Sequence, residues 1–156
     1  MEKVKMLVFD MDGTVADLYG VENWLSMLRS ENPLPYIKAE PMWDMEILAD
    51  LLNEFRAQGG IVAVVSWLSM DSTQQYKEMV RLAKREWLMK FDFPADKIHL
   101  VQYGATKANC VRKLLQKDET AILFDDSEKV RSGWTLGETI DPTEQDILEV
   151  IRGLLV

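Results

Sequence analysis

Cysteine and histidine are scarce in this chain, with Cys110 and His99 the single examples in 156 residues. A lone cysteine cannot close an internal disulfide, which agrees with a reducing compartment. Cys110 falls in an expected helix and is read as a packing residue, and His99, inside a short expected strand, as a structural one. Long apolar runs are also missing: none reaches the length of a membrane span, and the run after Glu2-Lys3 is too short for a signal peptide. The expected location is therefore cytoplasmic, with no membrane partner. Bases are outnumbered, 18 against 26 acids, for a net charge of −8, which argues against a general nucleic-acid binder because phosphate neutralisation needs a positive field. Internal repeats, low-complexity segments and linkers are absent. The composition that remains, 47% hydrophobic and 28% charged, suits one soluble globular domain spanning residues 1–156.

Strand and helix signals alternate along the chain. Val4 to Phe9 is apolar on both faces, as in a fully buried strand, and ends in Asp10 and Asp12. Trp24, Leu25 and Leu28 mark a short amphipathic helix from Val21 to Arg29, which Asn32-Pro33-Leu34-Pro35 stops. A helix from Trp43 to Ala57 presents Trp43, Ile47, Leu48, Leu51, Leu52 and Phe55 inward and closes at Gly59-Gly60. A second buried strand, Ile61 to Val65, ends at Ser66. Ser72 and Gln75 form a capping box for a helix from Thr73 to about Lys90, with Tyr76, Met79, Val80, Ala83 and Trp87 inward. Further expectations are a strand at Ile98–Val101, a helix capped by Thr106 and running through Gln116, and a strand at Thr120–Phe124 ending in Asp125-Asp126. A fifth strand is expected around Leu136 to Ile140, then a last helix that opens at Asp141-Pro142-Thr143-Glu144 and ends near Leu155. The pattern predicts a three-layer α/β fold, a doubly wound, mostly parallel sheet with helices on both faces. Right-handed crossovers then bring the carboxyl ends of the strands, and the acids that follow them, to one edge.

Four acids, a hydroxyl and a lysine gathered at such an edge suit phosphoryl transfer. Asp10 and Asp12 lie on one side of an extended backbone and repel unless a proton or cation joins them, and carboxylate oxygens are the ligands Mg²⁺ prefers. One aspartate can attack phosphorus, giving an aspartyl-phosphate for water to cleave, and the Lys107 ammonium can offset charge on the transferring group. Taken singly these residues have plainer readings: a turn at Asp12-Gly13, a strand-end serine, a solvated lysine, a helix cap at Asp125-Asp126-Ser127. Their joint order is what points to chemistry.

Asp10-Met11-Asp12-Gly13-Thr14, Val64-Val65-Ser66, Lys107 and Asp125-Asp126 resemble, in order and spacing, the four motifs of the haloacid dehalogenase (HAD) superfamily of phosphohydrolases. The resemblance implies that Asp10 is the nucleophile and Asp12 the general acid and then base, with its carbonyl on Mg²⁺. It implies that Ser66, Lys107 and Met11 bind the phosphoryl group, and that Asp125 and Asp126 complete the metal site begun by Asp10 and Asp12. Trp67-Leu68-Ser69 stands where many members have asparagine. The cap insertion implied for residues 15–42 is small, one short helix and a proline-rich loop, and brings Trp24, Tyr36 and Trp43 near the site, with Trp67 as a further lid contact. With Tyr19, the aromatics Trp24, Tyr36 and Trp43 offer faces on which a nucleobase can stack, while Trp24 and Trp43 read alternatively as helix core. The Asp10-to-Asp17 pattern with a small cap is similar to the deoxyribonucleotidase branch, which implies a nucleotide as the small phosphorylated substrate. Asp17 is read either as an acid backing the site or as a surface residue.

Lys77, Arg81, Lys84 and Arg85 form a stripe on one helix. The stripe is either a solvated face or a docking strip for the end of a nucleic acid, and sugar phosphates are a further alternative substrate. A receiver domain also groups acids, a hydroxyl and a lysine around Mg²⁺, but its phosphorylated aspartate lies on a middle strand. A non-catalytic binding protein leaves the full set of residues without a task, and a dehalogenase leaves Asp12 and the metal site idle.

Overall fold

The computed structural model describes residues 2–156. The chain opens with β1 (Lys3–Phe9), whose last four residues are entirely buried. A short ribbon strand β2 (Ala16–Asp17), a 3₁₀ turn at Leu18–Gly20, α1 (Trp24–Arg29), α2 (Leu34–Lys38) and β3 (Glu40–Pro41) follow. Then come α3 (Met45–Ala57), β4 (Ile61–Trp67), α4 (Gln74–Lys90), β5 (Lys97–Val101), α5 (Lys107–Val111), a 3₁₀ turn at Arg112–Leu114 and β6 (Glu119–Phe124). The chain closes through α6 (Glu128–Ser132), β7 (Thr139–Ile140) and α7 (Ile147–Leu154). Among the described residues no helix is long and apolar enough to cross a membrane.

The main sheet has the order β5-β4-β1-β6-β7 with every pairing parallel, the doubly wound α/β architecture expected from the alternation. Strand periodicity divides its side chains between two cores. Leu7, Phe9, Val62, Val64, Ile122 and Phe124 face the side covered by α3, α4 and α7. Met6, Val8, Ala63, Val65, Ala121 and Leu123 face the side covered by α5 and Trp134. Phe9 at the centre stacks on Phe124 at 4.5 Å and meets the edge of Phe93 at 5.4 Å. Register sets Phe9 beside both Val64 and Phe124, so the ends of β1, β4 and β6 reach one edge together.

The helices start where their caps allow, and several sequence expectations shift as a result. Asp44, not Trp43, begins α3, its carboxylate accepting from the Glu46 and Ile47 amides, while Leu48, Leu51, Leu52 and Phe55 face inward and Ile47 is exposed. Each such apolar side chain adds about 1.5–3 kcal/mol of burial. The hydroxyl of Thr73, rather than Ser72, caps α4 by accepting from the Tyr76 amide, and Met79 is turned outward. Thr106 makes no side-chain cap, and α5 ends at Val111 before the 3₁₀ turn instead of continuing to Gln116. Asp141 closes a turn by accepting from the Thr143 amide and hydroxyl, so the last helix starts later, capped by Asp146. The fifth strand is only Thr139–Ile140.

Residues 15–42 leave and rejoin the domain at one point. Ala16 pairs with Pro41 and Asp17 with Glu40 in an antiparallel ribbon, and the Trp43 indole N–H donates to the Thr14 carbonyl at 2.8 Å. The proline-rich stretch that stops α1 also starts a second helix, because Pro33 at the cap and Pro35 in the first turn need no amide donor. α2 rests on α4, with the Trp87 indole donating to the Ala39 carbonyl and the Tyr76 hydroxyl to the Asn32 carbonyl. No residue of α1 is fully buried, and Leu28 alone of its apolar side chains packs against the core.

Candidate active site

Parity along the strands decides which side of the sheet each polar residue faces. Asp10 continues the Met6-Val8 row and Asp125 the Ala121-Leu123 row, toward α5, whereas Ser66 continues the Val62-Val64 row, toward α4. Each side supplies one buried lysine. On the α5 side, Lys107 Nζ donates to Asp10 Oδ1 at 3.0 Å and to Asp125 Oδ2 at 2.7 Å. On the α4 side, Lys84 Nζ donates to Ser66 Oγ at 2.7 Å, to the Trp67 carbonyl at 2.9 Å and to Asp12 Oδ2 at 3.0 Å.

Asp10 is held at both oxygens, since the Thr14 hydroxyl donates to Oδ2 at 3.2 Å. The Met11 carbonyl takes the amides of Thr14, Val15 and Ala16, which curls the loop after β1 around the two acids. Gly13 makes that loop possible with φ +79°. The Met11 side chain is buried in the core, so only its backbone is open to the role implied for it. Asp125 Oδ1 accepts the Ser127 amide at 2.9 Å, which also begins α6.

Asp10, Asp125 and Asp126 each place a carboxylate oxygen within 4.8 Å of the others. Burial, then the neighbouring negative charges, push Asp125 and Asp126 well above ordinary carboxylate values. Burial also raises Asp12 against the opposing pull of Lys84. Lys107 is held above its usual value because Asp10 and Asp125 outweigh the desolvation that would lower it. Four carboxylates thus face two ammonium groups, and the unbalanced negative charge, carried on hard oxygen donors, fits a divalent cation of the Mg²⁺ kind.

A cavity of about 560 Å³ opens onto Asp10, Asp12, Lys107, Asp125 and Asp126. Its walls are aromatic. Tyr19 and Trp24 meet edge to face at 4.9 Å, Trp67 and Tyr103 pack at 4.9 Å, and Tyr36 also lines the cavity, its hydroxyl sharing a 2.9 Å hydrogen bond with that of Ser69. Burial raises the Tyr19 and Tyr36 phenols, aided by the nearby aspartates, so both stay neutral. Of the aromatics expected at the lid, Trp24, Tyr36 and Trp67 line this cavity. Trp43 does not: it packs against the core and anchors the ribbon.

The structure therefore brings together Asp10, Asp12, Ser66, Lys107, Asp125 and Asp126, and adds Lys84, which the sequence reading set on an outer basic stripe. Lys84 is 1% exposed, and Arg81 is paired with Glu78, so the stripe does not exist as a continuous surface. A signal was present: Tyr76, Val80, Lys84 and Leu88 succeed one another at four-residue intervals, and the other three are buried. Tyr103 was also missed, although it follows β5 at the same sheet edge. Asp17 is exposed and caps the Leu18–Gly20 turn by accepting the Gly20 amide. His99 lies outside the cavity with a buried, unpartnered Nε2, and Cys110 packs partly into the α5-side core.

No family model matches the sequence. No curated protein matches it either. Among solved structures, the chain resembles a crystal structure from Mesorhizobium loti described as a candidate HAD-like phosphatase, at 14% identity and a TM-score of 0.53, over 100% of this chain and 90% of that one. A likeness at that identity is one of architecture, and the doubly wound α/β fold described above is the fold the two chains share.

Proposed function

We propose that the chain is a phosphomonoester hydrolase working through an aspartyl-phosphate on Asp10. The observation that carries this reading is Lys107, buried and bridging Asp10 to Asp125 at the mouth of β1, with Asp126 beside them. Asp10 Oδ would attack phosphorus as the bond to the leaving oxygen breaks, and Asp12 would give that oxygen its proton. Water then attacks the aspartyl-phosphate, Asp12 takes a proton from it, and inorganic phosphate leaves with the Asp10 carboxylate restored. Lys107 offsets charge on the equatorial oxygens. Asp10, Asp125 and Asp126, with the Asp12 carbonyl, would hold Mg²⁺, whose charge would stabilise the phosphoryl oxygens when bound.

For the substrate we propose a nucleoside monophosphate. Aromatic walls around a 560 Å³ cavity suit a planar base stacked some distance from the phosphate, and the small excursion of residues 15–42 supplies Trp24 and Tyr36 to them. The polynucleotide-end reading loses its support with the basic stripe, since Lys84 is turned inward. Phosphate release from nucleoside monophosphates, sugar phosphates and 5′-phosphorylated oligonucleotides, measured with Mg²⁺ and with Asp10→Asn as control, tests both levels. The expected ranking puts nucleotides first. A sugar phosphate ranked first would refute the substrate, and turnover surviving in Asp10→Asn would refute the nucleophile.

A further inference from the structure

Lys84 sits in the inward row of α4 and is 1% exposed. Desolvating an ammonium costs several kcal/mol unless its donors are all satisfied. Here each of the three N–H groups has an acceptor, at 2.7, 2.9 and 3.0 Å, and the Tyr36 ring covers the group with its centroid at 5.2 Å. One of the acceptors, Asp12 Oδ2, belongs to the residue that carries the proton in the proposed reaction.

An ammonium can only donate. Ser66 Oγ must therefore accept from Lys84, and its own proton is turned to another acceptor. Ser66 is fully buried and does not line the cavity, so its hydroxyl serves as an anchor for the ammonium. Asp12 is constrained in the same way: with Oδ2 taken by Lys84, Oδ1 is the oxygen left to exchange a proton with the leaving group and then with water. The Trp67 carbonyl completes the tie and fixes the end of β4 against the loop after β1. The two buried lysines divide the site between them. Lys107 joins β1 to β6 through Asp10 and Asp125, and Lys84 joins the loop after β1 to β4 through Asp12 and Ser66.

We propose that Lys84 is a positioning residue of this site: it ties the end of β4 to the loop after β1 through Ser66 and the Trp67 carbonyl, and it holds the Asp12 carboxylate toward the leaving oxygen. The inference rests on the phosphohydrolase reading. Neither effect requires Lys84 to touch the substrate, so its loss should appear in turnover more than in substrate binding.

The test uses the full chain with Mg²⁺ and phenyl phosphate, whose leaving oxygen needs a proton, comparing wild type, Asp10→Asn, Lys84→Met, Ser66→Ala and the double variant Lys84→Met/Ser66→Ala. Thermal unfolding and circular dichroism check folding. Lys84→Met is expected to lower kcat at least about 100-fold with KM within about threefold. Ser66→Ala should cost about tenfold or more in the wild type and less than about threefold on top of Lys84→Met, since the serine acts through the lysine it anchors. If Lys84→Met does not fold, Lys84→Gln, neutral and polar, takes its place with the same expectation. Asp10-dependent turnover left within about threefold by the folded variant, or Ser66→Ala losses that simply add, would overturn this inference alone. Absence of Asp10-dependent turnover in the wild type would overturn the phosphohydrolase reading and this inference with it.

Discussion

Gly13 lies so close to Asp126 that a β-carbon on it would stand 2.8 Å from the Asp126 Cγ and 2.9 Å from Cε2 of Tyr19. With φ at +79°, the residue is also in the left-handed region, where any other side chain is strained by roughly 1–2 kcal/mol. Gly13→Ala should therefore push Asp126 away from Asp10 and lower the unfolding midpoint in urea. Isothermal titration with Mg²⁺ should show weaker binding in the same variant. Unchanged stability and Mg²⁺ affinity would contradict the close approach.

Lys107 balances two buried carboxylates at once. Lys107→Met leaves Asp10 and Asp125 without their counter-ion, and breaking a buried pair on one side costs roughly 3–5 kcal/mol. Urea unfolding without divalent ions should show a loss of that order, partly recovered by Mg²⁺. A loss below about 1 kcal/mol would mean that the lysine is not the group neutralising them.

Raised carboxylate values set a sign for the pH dependence of stability. Asp12, Asp125 and Asp126 hold protons more tightly folded than unfolded, where a carboxyl titrates near about 4, so the folded state carries more protons over the window between. Their contribution to stability is lost as pH rises through that window. A cation bound by the deprotonated acids opposes the loss. Thermal unfolding should show a larger Mg²⁺-induced rise in Tm at about pH 8 than at about pH 5, with no rise in Asp126→Asn of comparable size. An equal or reversed Mg²⁺ effect would place the cation elsewhere.

Trp24 packs on Tyr19 in the cavity wall and is only half-buried, so its removal spares the core. Base stacking on one aromatic side chain contributes about 1–3 kcal/mol. Trp24→Ala should raise KM for a nucleoside monophosphate roughly fivefold or more while leaving KM for glucose 6-phosphate within about twofold. Equal changes for both would remove the wall from base recognition.

The sheet was legible in the sequence because buried parallel strands are nearly pure apolar runs: Met6–Phe9 and Val62–Val65 admit no other reading, and each ends in the polar residue that matters. The six residues matching the motifs were legible for the same reason: Asp10, Ser66 and Asp125 directly follow or end such a run, Asp12 and Asp126 come just after, and Lys107 opens the helix after β5. Lys84 was not, because a lysine three residues from Arg81 and beside Arg85 has the spacing of a solvated stripe, and only the row Tyr76-Val80-Leu88 marks it as inward. Helix starts were displaced where several capping residues compete, as at Ser72-Thr73 and Asp141–Asp146, and local sequence does not say which side chain reaches an amide. Trp43 had two readings, lid or core, and the structure gives the core one, because a tryptophan beside a site looks the same in sequence whether it lines a cavity or donates to the Thr14 carbonyl.

The central claim is that phosphorus passes through Asp10, buried at the end of the central strand with Lys107 and Thr14 on its two oxygens. Borohydride reduction of the protein quenched during turnover converts an acyl-phosphate to an alcohol, which peptide mass spectrometry locates. The expected product is homoserine at position 10, absent in Asp10→Asn and absent at Asp12, Asp125 and Asp126. Steady turnover with no reduced residue, or with the reduced residue at any other aspartate, would contradict it.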